Sequence, residues 1–224
     1  MAHSKARSYG ENRDLAFSLR ACLRRLHWKS VITTPHSPIT AVTVFAGARE
    51  GVDDSMTTAA YGFGTALARH RIALVYGGGR LGMMGAVAQG AIDAGGETIG
   101  IMPEHLSQHE IAHTGLSELV IVDTLAERKR LMNQRCDAFV ALPGGAGTLD
   151  ELFDEWTNQQ LGLHQKPIGL LGADFWAPLT AMIDHMVAAG FIRQADRDSL
   201  IVADDPDELI DALATWTPQP PRWG

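Results

Sequence analysis

Two glycine-rich loops limit what this chain can fold into more than any other feature. Tyr76-Gly-Gly-Gly-Arg-Leu-Gly82 and Leu142-Pro-Gly-Gly-Ala-Gly-Thr148 each follow a short apolar run and precede a helical pattern. The runs leading into them, Ile72-Ala-Leu-Val75 and Phe139-Val-Ala-Leu142, lack the alternation of a strand with one wet face. Strands buried on both sides belong to parallel sheets covered by helices. The rest of the sequence repeats that rhythm. Strands are expected at 40–45, 72–76, 97–102, 119–123, 138–142, 167–171 and 200–203. Helices are expected near 55–70, 82–95, 125–134, 148–162, 175–189 and 206–214. This order predicts an α/β fold: a Rossmann-like, doubly wound parallel sheet of about seven strands with helices on both faces.

Local punctuation agrees. Asp205-Pro206 places an N-cap before a first-turn proline, and Thr124-Leu-Ala-Glu127 reads as a capping box. Gly190 follows the apolar helix end Met186-Val-Ala-Ala189, where a left-handed cap is expected. Three regions result: an N-terminal appendage over 1–38, a Rossmann-like domain over 39–216, and an extended, proline-rich tail over 217–224. A helical stretch is expected at 11–28 within the appendage.

Charge divides along the same boundary. The net charge of -7 hides a basic head, seven Lys and Arg against two acids over 1–38, joined to a body that carries the acidic excess. An acidic body is a poor surface for a nucleic-acid polymer, whose affinity comes from neutralised phosphates. Two cysteines, Cys22 and Cys136, make no disulfide framework, which points to a reducing compartment. No apolar run reaches the roughly 20 residues of a membrane span, and no signal-peptide pattern opens the chain. The expectation is a soluble, cytoplasmic protein with no membrane partner.

Both glycine loops fall at the carboxyl edge of the sheet, where ligands of such folds bind. Glycine lets the backbone approach a phosphate, and the following helix presents unpaired N–H groups and the positive end of its dipole. The sequence therefore predicts an anion site, most simply a phosphate site. Gly77, Gly79 and Gly82 match the dinucleotide fingerprint, with Glu97 or Glu104 as the ribose-binding acid, but they follow the second strand and not the first. The second loop lacks the Lys-Ser/Thr pair of a triphosphate-binding loop. His109-Glu-Ile-Ala-His113 has the spacing of a zinc helix, yet Pro103, Gly115 and the strand near 119 leave it little room. Glu151 has two readings: Thr148-Leu-Asp-Glu151 is itself a capping box, and the same carboxylate is a candidate catalytic acid. Arg128 is a solvated charge or a binding group. Taken alone, these residues leave the function open.

Three stretches together are more specific. Tyr76-Gly-Gly-Gly-x-x-Gly-x-Met-Gly85, Glu127-Arg-Lys-x-x-Met132 and Asp137-Ala-Phe-Val-Ala-Leu-Pro-Gly-Gly-x-Gly-Thr-Leu-Asp-Glu151 resemble the LONELY GUY family over about residues 40–214. Its members release cytokinin or adenine from a nucleoside 5'-monophosphate, and many carry an older lysine decarboxylase label. The resemblance implies Arg128 and Glu151 as the catalytic pair. It implies that Gly78, Gly79, Gly144, Gly145, Ala146, Gly147 and Thr148 contact substrate, with Glu110, Lys129 and Thr157 near the nucleotide. It further implies a homodimer or larger assembly with sites near the subunit boundary, and a reaction without metal or cofactor. The chain departs from the family pattern at Phe45-Ala-Gly-Ala48, where relatives carry Cys-Gly-Ser, and at Ala126, where a polar residue often precedes Glu127. Decarboxylation of lysine is disfavoured, because Lys129 and Lys166 lie in no recognisable pyridoxal phosphate context. The competing expectation from another class is a non-catalytic nucleotide or molybdopterin-type carrier. Met83, Met84, Met132 and Trp156 are candidates for the wall around the base.

Overall fold

The two apolar runs without alternation become strands that flank one central strand, each pairing with it in parallel. A computed structural model describes residues 38–107 and 112–220. Its strands are β1 (Ala41–Phe45), β2 (Ala73–Tyr76), β3 (Thr98–Pro103), β4 (Glu118–Val122), β5 (Ala138–Ala141), β6 (Ile168–Leu171) and β7 (Leu200–Ala203). They form one sheet in the order β4-β3-β2-β1-β5-β6-β7, with every pair parallel. Among the described residues the helices are α1 (Asp54–Arg69), α2 (Gly82–Asp93), α3 (Glu104–Ser107), α4 (Leu125–Gln134), α5 (Ala146–Gln160), α6 (Ala173–Ala188), α7 (Gln194–Asp198) and α8 (Pro206–Thr215). All seven expected strands and six expected helices within this region are present, with ends shifted by one or two residues. The short α3 and α7 lack an apolar period long enough to be read from sequence. The helix expected at 11–28 lies outside the described residues.

The sheet separates two cores. On one face Val42, Val44, Leu74, Tyr76 and Val140 pack with Phe63 and Leu67 of α1, Val87 of α2 and Leu209 of α8. On the other, Phe45, Val75, Phe139 and Ala141 pack with Met132 of α4, Leu152 and Trp156 of α5 and Trp176 of α6. Successive residues of β1 and β5 thus feed opposite cores, as the period of two requires. Burying these side chains supplies the main driving force, roughly 1.5–3 kcal/mol for each large one.

The caps read from sequence are present. Asp205 accepts from the N–H groups of Asp207 and Glu208, Thr124 accepts from Glu127, and Gly190 adopts φ 82° after α6. α1 and α2 touch through glycines: a Cβ on Gly64 would lie 2.0 Å from the Val87 carbonyl oxygen, and one on Gly90 2.0 Å from that of Tyr61. The order of the strands reverses at β1, since β2 lies on one side of it and β5 on the other. The connections leaving β1 and β5 therefore run to opposite faces and open a crevice between them. Asp137 locks the far end of the same pair, its carboxylate accepting from the Thr40 and Ala41 amides and the Thr40 hydroxyl.

Candidate active site

The crevice is a cavity of about 1280 Å³ whose floor is made by the segments following β1 and β5. Gly47 donates its N–H to the Pro143 carbonyl at 3.1 Å, which joins the two segments. The contact is tight: a Cβ on Gly47 would lie 3.2 Å from Gly144 Cα, and one on Gly144 would lie 2.1 Å from Thr148 Oγ1. These two glycines allow backbone to meet backbone and hydroxyl. Gly145 and Gly147 have nothing within 4 Å of an added Cβ and leave the rim bare toward the cavity. Gly145 caps α5 without a side-chain hydrogen bond, so no cap side chain takes up the first amides of that helix, the positive end of its dipole, where Gly145, Gly147 and Thr148 border the cavity.

The start of α5 corrects one expectation. The helix begins at Ala146, so Thr148 is its third residue and not its N-cap. The capping-box reading of Glu151 therefore fails, because the cap that it would complete lies one turn upstream. Glu151 lines the cavity with its side chain 14% exposed, and Arg128 of α4 reaches in from the opposite wall at 12%. Arg128 Nη2 stands 3.7 Å from Glu151 Oε1, close enough for charge pairing and too long for a hydrogen bond. Arg128 Nε is buried and has no hydrogen-bond partner among the described residues. A buried unpaired donor costs free energy, so this arginine is held at a cost to the fold.

Lys129 also lines the cavity and pairs with Asp150 at 2.6 Å and Asp154 at 3.5 Å. Burial alone would lower the pKa of its ammonium, but the two carboxylates together outweigh that and hold it above the ordinary value. Gly144, Gly145, Gly147 and Thr148 border the same space, as do Ala48 and Ala126, the two departures noted in the sequence. Ala146 is the first residue of α5 and is exposed, but it does not border the cavity. Thr157 is exposed and does not border the cavity; its neighbour Asn158 does. Glu110 lies outside the described residues. Met83 and Met84 form part of the wall, whereas Met132 and Trp156 are buried in the core.

The first glycine loop has a different use from the second. Gly78 and Gly79 are buried and do not border the cavity; the Gly78 carbonyl accepts from His113 N–H, and Gly79 bridges to Ala112. A Cβ on Gly82 would lie 2.4–2.6 Å from the backbone of Ala48 and Arg49. These glycines allow close packing behind the site. Ala112 lies in an isolated bridge and His113 follows it outside any helix, so His113 is not the second ligand of a zinc helix; its Nδ1 sits 2.7 Å from the Thr114 carbonyl oxygen.

Sequence reasoning missed the far end of the cavity. There Asn133 donates to Glu155 Oε2 at 2.6 Å, and His164 Nε2 lies 3.1 Å from the same oxygen. The Lys166 amide donates to His164 Nδ1, which leaves the ring proton on Nε2 facing Glu155. The signal was available: Gly147, Glu151, Asp154, Glu155 and Asn158 recur at three- and four-residue spacing along one face of α5.

A family model described as "possible lysine decarboxylase" matches residues 84–213. A cytokinin riboside 5'-monophosphate phosphoribohydrolase of Rhodococcoides fascians is 44% identical over 175 residues, covering 77% of this chain and 88% of the relative. One of the same name from Arabidopsis thaliana is 40% identical over 178 residues, covering 79% of this chain and 83% of the relative. Among solved structures, a molybdenum cofactor binding protein from Rippkaea orientalis is 26% identical with a TM-score of 0.59, covering 78% of this chain and 97% of that one. The segment bearing Arg128, the second glycine loop and Glu151 falls inside the matched region, and on these likenesses the chain belongs to the LONELY GUY family, that of the cytokinin riboside 5'-monophosphate phosphoribohydrolases.

Proposed function

We propose that this protein hydrolyses the N-glycosidic bond of a nucleoside 5'-monophosphate, AMP or an N6-alkylated AMP, to free base and ribose 5-phosphate. The observation that carries the reading is the position of Glu151. It opens into the same cavity as the α5 N-terminus, four residues and so about 6 Å along the helix from Gly147, and faces Arg128. That spacing matches the reach from a 5'-phosphate to the anomeric carbon. The amides at the start of α5, with Thr148 and the bare rim at Gly145 and Gly147, hold the phosphate.

As the C1'–N bond breaks, its electron pair leaves with the base, which takes up a proton, and positive charge builds on the ribose ring. The Glu151 carboxylate stabilises that charge and receives a proton from the water that attacks C1'; the base takes its proton from solvent, and Glu151 returns its own to solvent, so one water is consumed and the carboxylate is restored. Arg128 offers its planar fork to ribose or phosphate oxygens. Preorganised charges of this kind contribute on the order of 3 kcal/mol each, about a hundredfold in rate.

We read the working form as a homodimer in the cytoplasm. An exposed apolar lip of Leu125, Leu163 and Phe175 borders the cavity and is the kind of surface a second subunit covers. Sedimentation at equilibrium tests this, and a monomer at micromolar concentration rejects it. Base release from AMP and from N6-isopentenyl-AMP, followed by chromatography, tests the reaction; folded protein that releases neither base rejects it. The likeness to a molybdenum cofactor binding protein keeps a carrier as the second reading. Tight binding of AMP without turnover would favour it.

A further inference from the structure

Gly77 opens the first glycine loop, yet it does not border the cavity and its backbone makes no demand for glycine. Its φ is not among the positive values, unlike that of Gly78 at 81°. What requires glycine there is a side chain from another element. A Cβ at position 77 would lie 2.1 Å from Arg128 Nη2, 3.2 Å from Arg128 Cζ and 3.3 Å from Met84 Sδ. The guanidinium thus rests directly on the bare Cα of Gly77, with Met84 beside it. Its Nε has no hydrogen-bond partner among the described residues, and Glu151 stands beyond hydrogen-bond distance. Packing on Gly77 and Met84, beside the charge pairing with Glu151, therefore sets where the guanidinium stands.

We propose that Gly77 is a positioning residue: with Met84 it forms a socket that aims the Arg128 guanidinium at Glu151 and the substrate. This rests on the phosphoribohydrolase reading for its effect on turnover, but not for the socket itself. The atom met by an added Cβ is the far end of a flexible side chain, so Gly77→Ala displaces the arginine and leaves the fold intact. Displacing a charged group by about 1 Å at a reacting centre costs up to about a hundredfold in rate.

The test is a double-mutant cycle of Gly77→Ala with Arg128→Ala on the full-length protein, read by base release from AMP and by thermal melting. Gly77→Ala should lower kcat at least about tenfold, raise KM less than about threefold, and keep Tm within a few degrees. In the Arg128→Ala background the same substitution should change kcat by less than about twofold, because the group it displaces is gone. Equal losses in both backgrounds, or no loss in the first, overturn the proposal. A second readout needs no activity: the Arg128 Nε–H resonance of 15N-labelled protein, assigned by its disappearance in Arg128→Ala, should shift in Gly77→Ala. An unmoved resonance overturns the socket, whereas a wild-type protein that releases no base overturns only the assigned reaction.

Discussion

Arg128 and Glu151 come from different helices, α4 and α5, and meet across one cavity with 3.7 Å between Nη2 and Oε1. Neither helix packs its pair member into the core, so this approach of opposite charges serves the cavity and not the fold. Replacing the carboxylate by its amide removes the charge that opposes a ribosyl cation while keeping the shape. Glu151→Gln should lower kcat about a hundredfold or more, with AMP affinity by calorimetry kept within about fivefold. An unimpaired kcat would show that the carboxylate is not part of the chemistry.

Gly144 tests the phosphate grip. An added Cβ would meet Thr148 Oγ1 at 2.1 Å, Thr148 Cβ at 2.7 Å and Gly47 N at 2.9 Å, two of them atoms that cannot rotate away. Gly144→Ala must push the two segments after β1 and β5 apart. Affinity for AMP should fall at least about tenfold by titration calorimetry, and inorganic phosphate should lose its ability to compete.

Two glycines of α1 should respond in opposite directions. At Gly64 a Cβ would run into the Val87 carbonyl oxygen at 2.0 Å and Ala91 N at 2.8 Å, both backbone. Gly64→Ala must separate α1 from α2 at a cost of about 3 kcal/mol or more, a fall of roughly 10 °C in Tm. Gly62, in the same helix, meets nothing within 4 Å, so Gly62→Ala should raise stability by about 0.5–1 kcal/mol. Parallel thermal melts of the two variants check both signs at once.

The tether between α1 and α8 should depend on pH. Asp207 contacts His70 Nε2 at 2.8 Å and Arg69 Nη2 at 2.9 Å, and these bonds, His70 first and Arg69 second, hold its pKa below the ordinary 3.8. A depressed carboxylate stabilises the fold above its unfolded pKa and loses that contribution as pH falls through the folded value. Because the group is exposed, the effect is small. Asp207→Asn should lower Tm by at most about 3 °C near neutral pH. The gap should close well below pH 3.8; a gap constant across that range would refute the pairing.

Sequence carried much of this structure because most of its signals are local. β2 and β5 are legible as doubly buried strands, Asp205 as a cap, and Gly144 to Thr148 as a glycine turn at the sheet edge leading into α5, each from a handful of adjacent residues. The errors share a physical origin in spatial neighbours distant along the chain. Glu151 was weighed as a helix cap because nothing local showed that α5 starts at Ala146. Gly77 to Gly79 were grouped with the ligand loop because their real partners, Arg128, Leu119, Met102 and Ala112, come from later elements. Glu155 and His164, nine residues apart and joined at the back of the cavity, have no motif.

The hydrogen bonds from β1 to Asp137 span 96 and 97 positions of sequence. The cavity floor is therefore divided between an early and a late part of the polypeptide. Such distant pairing is slow to form. A nucleotide seated there bridges both halves, opposes their parting by mass action, and makes substrate a guardian of the enzyme's lifetime as well as its feedstock.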